Sequence, residues 1–369
     1  MRIGIIFHRP EIIDSNWARK ILSILDKFGQ VNAKLCGTMG TLAVLDNYME
    51  DKITCDSRPT IECLAEMIKE CDSIVIATYS DNALKSHAFC WHLVKKLNNP
   101  NIPIIEVEAK NGVVIDWCSK SSLSVGLAQE LRFKLISSPD FGETAWIKYG
   151  TKYRRILAAE PGDFVLVNGI VVGRAISEKV ILKEYEGKIT DGEGIEFKDQ
   201  GLVKISKMGK IDLFKAKIDT TNSIRRNQFK RRYLEPIFKG NLVAFIEHGV
   251  TNYSGVNIYE KIKKGITGAV TIGDDTTAIA GDILSRFKIP VIGIVDGDQD
   301  GLLKNALLAE DSLVLLVKSD DQLGEKIYDE IFRREMYLNS KFEEVKDKVV
   351  RLAIISDQLV KKEENLDLP

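Results

Sequence analysis

Short runs of β-branched and aliphatic residues, separated by amphipathic stretches, recur at both ends of this chain of 369 residues, and no other feature limits its fold as much. RIGIIF (2–7), VNAKLC (31–36), SIVIAT (73–78) and IPIIEVE (102–108) have the length and composition of buried strands. Between the first two, residues 15–28 carry Ile21, Leu22, Ile24 and Leu25 at helical spacing, with Asp14 or Ser15 placed as a cap. Further helices are expected near 42–50, 60–70 and 82–97. Strands that alternate with helices predict a doubly wound, mostly parallel sheet over residues 1–136, because a parallel pair needs a crossover long enough to hold a helix.

SSPDFGE (137–143) ends that rhythm. FVLVNGIVVG (164–173) sets Asn168-Gly169 between two β-branched runs, a strong hairpin signal. KVILKEY, GKIT, GIEF and LVKI continue as short strands broken by glycines, so residues 144–223 are expected to form a small antiparallel β domain. IRRNQFKRRY (224–233) follows, with Arg225, Arg226, Lys230, Arg231 and Arg232 and no acid among them. Such a run can hold the phosphates of a nucleic acid, with Phe229 and Tyr233 stacking on bases, or it is simply a solvated helix or linker face.

From 240 to 330 the α/β rhythm resumes. LVAFIE (242–247), GAVTI (268–272), PVIGIV (290–295) and SLVLLV (312–317) read as strands. Helices are expected at 256–264, at 276–287 with Asp275 as N-cap, and at 301–308. Residues 331–369 are expected to be a helical tail, whose apolar stripe of Phe342, Val345, Val349, Leu352 and Leu359 either packs on its own body or forms a homodimer.

A net charge of −1 excludes a global field that draws the protein onto nucleic acid or membrane, so any polyanion site must be local. No window reaches the roughly 18 apolar residues of a membrane span. The opening MRIGIIFHRP lacks the apolar core of a secretory signal, and a cytoplasmic location is expected. Cys36, Cys55, Cys63, Cys71, Cys90 and Cys118 form no CxxC pair and are expected to be reduced, mostly buried thiols.

Two stretches carry the chemistry. In IPVIGIVDGDQDGL (289–302) a strand ends in Asp296, Asp298 and Asp300. An EF-hand loop starts with the same spacing, but its twelfth position here is Leu307 where a bidentate Glu is needed, and a strand rather than a helix precedes it. Glu247 ends an earlier strand of the same presumed sheet. Were the two strands neighbours, three carboxylates would converge at the carboxyl edge, a hard oxygen set suited to Mg²⁺ or Mn²⁺. The alternative is a turn carboxylate and a solvated loop.

These residues resemble the Toprim domain, in particular its bacterial-primase version. AVTIGDDTTAIAGDILSRFKIPVIGIVDGDQDG is similar to that family's strand, glycine turn, helix, strand and acidic ending, over residues 240–330. The resemblance implies a Mg²⁺-dependent phosphotransfer or phosphodiester-processing enzyme, with Glu247 as acid or base and Asp296 and Asp298 as metal ligands, helped by Asp300. Two departures stand out: His248 separates Glu247 from Gly249, and Gln299 and Asp300 follow where the family often has basic residues.

The second stretch is CGTMGTLAVLD (36–46), which puts Gly37, Thr38, Gly40 and Thr41 between a strand and a helix. Small residues there let backbone amides approach an anion, although the motif is neither Walker A nor GxGxxG. His8 and Arg9 end the first strand and Tyr79-Ser80-Asp81 follows another, so Arg9, Ser80 and the glycine turn can share one edge as a phosphate or nucleotide pocket. An ordinary tight turn is the alternative. His87 and His92, five apart, are poorly spaced for a common ligand. CGTMGT, VLVNGIVVG and GDDTTAIAGDIL also resemble an uncharacterised family of methanogenic archaea across the whole chain. Three functions remain open: the metal-dependent enzyme, a non-catalytic nucleotide- or phosphate-binding protein, and an assembly factor.

Overall fold

The computed structural model describes residues 1–56, 58–98, 100–118, 121–221, 231–235, 240–247, 258–297, 303 and 306–364. The chain divides into two compact units, Met1–Gln228 and Phe229–Pro369.

The first unit opens with β1 (Arg2–Phe7), α1 (Glu11–Asp14), α2 (Trp17–Leu25), β2 (Gln30–Cys36), α3 (Thr38–Asp46), β3 (Thr54–Asp56), α4 (Thr60–Glu70) and β4 (Ser73–Thr78). α5 (Ala83–Lys96), β5 (Ile104–Glu108), β6 (Val113–Asp116), α6 (Ser122–Leu131) and β7 (Lys134–Ile136) follow. The strands form one sheet in the order β3-β2-β1-β4-β5-β6-β7. β1, β2, β3, β4 and β5 run parallel, and β6 is antiparallel to β5. Alternation along β1 explains the layers. Ile3, Ile5 and Phe7 join α1, α2, α3 and α6 on one face, whereas Ile6 faces α4 and α5 on the other. The expected doubly wound sheet is therefore present. β3, β6 and β7, of three or four residues, are too short for a sequence period to reveal.

α3 begins earlier than its apolar pattern suggests, because Gly37 adopts φ 108° and ψ 151° and turns the chain straight from β2 into helix. Gly40 and Thr41 thus lie within the first turns of α3.

The rest of the first unit holds β8 (Ala145–Lys148), β9 (Thr151–Ile156), β10 (Phe164–Val167), β11 (Ile170–Ala175), β12 (Val180–Tyr185), β13 (Lys188–Glu193), β14 (Ile195–Phe197), α7 (Asp199–Lys207) and β15 (Ile218–Thr221). Two four-stranded antiparallel sheets, β14-β11-β10-β15 and β13-β12-β9-β8, share one core that includes Ile156, Val165, Val172 and Leu182. Asn168 and Gly169 take φ 50° and 85°, the double left-handed geometry of the expected hairpin turn.

The second unit contains β16 (Leu242–Glu247), α8 (Ile258–Lys263), β17 (Gly268–Ile272), α9 (Asp274–Leu284), β18 (Val291–Val295), β19 (Leu313–Val317), α10 (Asp320–Lys326), β20 (Tyr337–Asn339), α11 (Phe342–Ile355) and β21 (Leu359–Glu364). The sheet order is β20-β16-β17-β18-β19-β21, with the four central strands parallel and both edges antiparallel.

Two expectations need correction here, the helical tail and the start of α9, and of the two readings of the α11 stripe the one that packs it on its own body is found. The tail is not wholly helical: Asp357, at φ 53°, ends α11, and Leu359 pairs with Val317 in the edge strand β21. The stripe of α11 is not offered to a second copy, since Phe342, Val345 and Val349 are buried with Ala353 against the unit's own sheet. α9 starts at Asp274 with Gly273 as its cap, so Asp275 sits inside the first turn. The helix expected at 301–308 lies mostly outside the described residues, and residues 306–308 are not helical.

Candidate ligand cleft at the edge of the first sheet

In the first sheet the chain leaves β1 toward β2 and β3, then returns to the other side of β1 as β4. That reversal opens a crevice outside the carboxyl ends of β1 and β4, where α/β sheets bind their ligands. A cleft of about 70 Å³ lies there, lined by Arg9, Glu11, residues 79–82, Lys85 and Glu160. The strand order of the second sheet does not reverse among its four parallel strands, so it has no switch point of this kind among the described residues.

Each wall of the cleft has a local cause. His8 N–H donates to the Ala77 carbonyl at 3.0 Å, which continues the β1–β4 pairing by one step. Arg9 then turns at φ 72°, and its Nη2 donates to the Thr220 carbonyl at 3.1 Å. Among the described residues its other donors make no hydrogen bond. Across the cleft the 79–82 loop is fixed from below by the fully buried Glu108. The Glu108 carboxylate accepts from Ser80 N–H at 2.9 Å and Asn111 N–H at 2.7 Å, and Asn111 Nδ2 reaches the Ser80 carbonyl at 3.0 Å. Asn82 caps α5, accepting from Leu84 N–H at 2.9 Å, and its amide donates to Glu160 at 3.1 Å.

Lys85 ties the two halves of the unit together. Its ammonium, with the side chain only 7% exposed, lies 2.6 Å from Glu160 and 2.7 Å from Asp163. Asp81 is paired to Lys110. Lys85 brings one positive charge to two carboxylates, so Glu160 is only partly compensated and faces the cleft together with Arg9 and Glu11.

Beneath Arg9, His8 stacks on Phe89, with ring centroids 3.6 Å apart. Burial, then the adjacent Arg9 charge, holds its pKa down to about 3, so the ring is neutral at pH 7. His87 is buried elsewhere, its Nδ1 2.7 Å from Glu106, a carboxyl that burial pushes up. His87 and His92 share no site.

Arg9 and Ser80, both singled out from sequence, meet in this cleft. The glycine turn fares differently. Gly37 stands two residues past the Phe7–Leu35 pair, as Arg9 does on β1, and a side chain there would meet no atom within 4 Å. At Gly40 a Cβ would lie 2.3 Å from the Leu35 side chain, so its smallness serves helix-on-strand packing. The Thr41 hydroxyl is directed back to the Gly37 carbonyl at 3.1 Å. Thr38 opens α3, but neither it nor Gly37, Gly40 and Thr41 lines the cleft. Asn82, Lys85, Glu108 and Glu160 were not legible as site residues. Glu160 lies in AAEPGDF, which reads only as a turn.

In the second unit, Glu247 and Asp296 both leave the carboxyl edge of the parallel sheet, but β17 runs between their strands. The condition that β16 and β18 be neighbours is not met, and two strand spacings put their axes about 10 Å apart. Among the described residues no group of three or more His, Cys, Asp or Glu stands close enough to hold a metal. The described residues therefore do not fit a Mg²⁺ cage by themselves, and Asp298 and Asp300 lie outside them. Of the basic run, Arg225, Arg226 and Lys230 are also outside the described residues, while Arg231 is exposed and Arg232 half-buried.

The family model described as an uncharacterised protein conserved in archaea, DUF2117, matches residues 5–335. The chain belongs to this family. It is 37% identical over 365 residues to the uncharacterised protein MJ0065 of Methanocaldococcus jannaschii, covering 95% of this chain and 96% of that one. No solved structure matches the chain. The archaeal relationship expected from the sequence thus stands, and the comparisons contain no Toprim protein. Among the described residues no helix is long and apolar enough to cross a membrane.

Proposed function

We propose that this DUF2117 protein binds a phosphorylated small molecule of the nucleotide class, with the phosphate in the cleft above β1 and β4. One observation carries the reading: at the strand-order reversal, Arg9 lines a preformed polar cleft with guanidinium donors that, apart from the Nη2 held by Thr220, have no acceptor among the described residues. A planar guanidinium matches phosphate oxygens in pairs. Tyr79 offers an aromatic edge and Glu11 an acceptor for hydroxyls. At about 70 Å³ the cleft takes a phosphate or sugar rather than a whole nucleotide. A thermal-shift screen of nucleotides and simple phosphate esters, with and without Mg²⁺, tests it. Stabilisation that is independent of Mg²⁺ and lost in Arg9→Ala is expected. A screen with no stabilising phosphate ester would overturn the reading.

A second reading is Mg²⁺-dependent phosphotransfer at Glu247 with Asp296, Asp298 and Asp300 as ligands. Its support is that Glu247 and Asp296 leave the same sheet edge. Metal-dependent turnover lost in both Glu247→Gln and Asp296→Asn is its expected signature, and unchanged turnover would sink it.

A further inference from the structure

Alternation along β2 divides its last two residues between the faces of the first sheet. Leu35 joins the side of α1, α2, α3 and α6, and Cys36 packs on the other side, against the core that holds Cys63 of α4. α4 begins at Thr60, so Cys63 lies in its first turn. The two sulfurs meet there: the Cys63 thiol is hydrogen-bonded to Cys36, and the Thr60 hydroxyl bonds the same Cys36 sulfur. The Cys63 sulfur is also 4.0 Å from the Arg58 carbonyl and in hydrogen-bond contact with Asp56. Asp56 in turn stands opposite Cys36 in the β2–β3 register.

All six cysteines are free thiols, but these two are not alike. Cys63 is fully buried, whereas Cys36 is half-buried. The S–H donated by Cys63 lowers the pKa of Cys36 against the opposing effects of burial and of Asp56, and Lys34 acts in the same direction as the bond. The same bond, together with burial, raises that of Cys63. The surrounding charges are matched among themselves. Arg58 lies 2.7 Å from both Asp56 and Glu66, and Lys34 is 2.9 Å from Glu66 and 3.9 Å from Asp56. A partly exposed sulfur that ionises readily is therefore set against a buried thiol that does not. An oxidant-sensing pair needs that asymmetry, an accessible attacking thiolate beside a resolving thiol. Cys55 cannot take the second role: it stands opposite Leu35, so it belongs to the other face of the sheet from Cys36.

We infer that Cys36 and Cys63 form a redox-sensitive pair that closes to a disulfide on reaction with a hydroperoxide. The Cys36 thiolate attacks one peroxide oxygen, the O–O bond breaks, and hydroxide leaves, giving Cys36 sulfenic acid. The Cys63 sulfur then attacks the Cys36 sulfur and expels the second hydroxide, which takes up the Cys63 proton as water. The first hydroxide is balanced by the proton that Cys36 lost on ionising. Two thiols give up two electrons and two protons, and hydrogen peroxide becomes two waters. A thiol reductant reopens the bridge by exchange. Closure ties the end of β2, immediately before the Gly37 turn into α3, to the first turn of α4.

The test treats the reduced full chain with hydrogen peroxide, counts the remaining thiols and maps the peptides by mass spectrometry. Cys36 and Cys63 should be lost together and ahead of the other four, as one cross-linked peptide, and dithiothreitol should restore both. In Cys63→Ser the oxidation should stop at a Cys36 sulfenic acid that dimedone traps, with a yield about tenfold or more above wild type. Cys36→Ser should abolish both products, and Cys55→Ser should change neither. The wild-type map decides the matter even where a variant fails to fold. Oxidation of Cys36 no faster than that of buried Cys71 and Cys90, or a bridge from Cys36 to any other cysteine, would overturn the inference. Equal trapping in wild type and Cys63→Ser would also overturn it, and would leave Cys63 as a packed core thiol.

Discussion

Arg9 sits in a left-handed conformation that residues other than glycine avoid, and the chain holds it there with the Thr220 carbonyl and the turn into Pro10. Its neighbour His8 makes a prediction that needs no ligand. The folded protein keeps this ring neutral down to about pH 3, whereas the unfolded chain protonates it near 6.5. The folded state therefore binds fewer protons between those values, and stability is full above 6.5 and lost as pH falls through that window. His92, held down to about 4, acts in the same direction. His8→Phe, which keeps the stack on Phe89, should recover on the order of 1 kcal/mol of the loss between pH 7 and 4.5. An unchanged pH slope in urea unfolding would contradict the burial of His8. Gly40→Ala should destabilise by about 1–3 kcal/mol, because its methyl meets Leu35. An unaltered midpoint would show that α3 can shift. Arg9 and Ser80 are legible in the sequence because strand ends are visible as the last apolar residue. The role of Gly40 is not legible there, because a glycine needed for packing looks the same in sequence as one needed for a ligand.

Among the elements, the hairpin at Asn168-Gly169 was legible because its turn chemistry is local. The Lys85 anchor was not, since α5 and the Glu160–Asp163 turn are far apart in sequence and only the fold brings them together. Asp163 is 2% exposed, and removing its cation leaves a buried charge. Lys85→Met should cost about 3–5 kcal/mol, and adding Asp163→Asn should restore part of that. If the single variant unfolds at the wild-type denaturant midpoint, Lys85 does not anchor the β sheets to α5. The tail misled for a different reason. LVKKEE in β21 has the charged composition of a solvated helix, but on a sheet edge the same charges guard against pairing with another chain.

For the whole molecule, the alternating runs revealed two α/β regions around a β domain, yet not the order of strands within a sheet. That order decides where a site can be. The first sheet reverses at β1 and β4, while in the second β17 separates Glu247 from Asp296. Two compact units with separate cores should give two transitions in calorimetry. A phosphate ligand should raise only the one that His8→Phe also moves. A single transition would mean the units unfold together.

The central claim is that Arg9 receives phosphate in the cleft between β1 and β4. The most direct measurement is a titration of a nucleoside monophosphate without metal, compared between the wild-type chain and Arg9→Ala. Losing charge-assisted hydrogen bonds worth about 1.5–3 kcal/mol should weaken binding by roughly ten- to a hundredfold, with the fold intact by circular dichroism. Equal affinity in the two proteins, or no binding by the wild type, would contradict the claim.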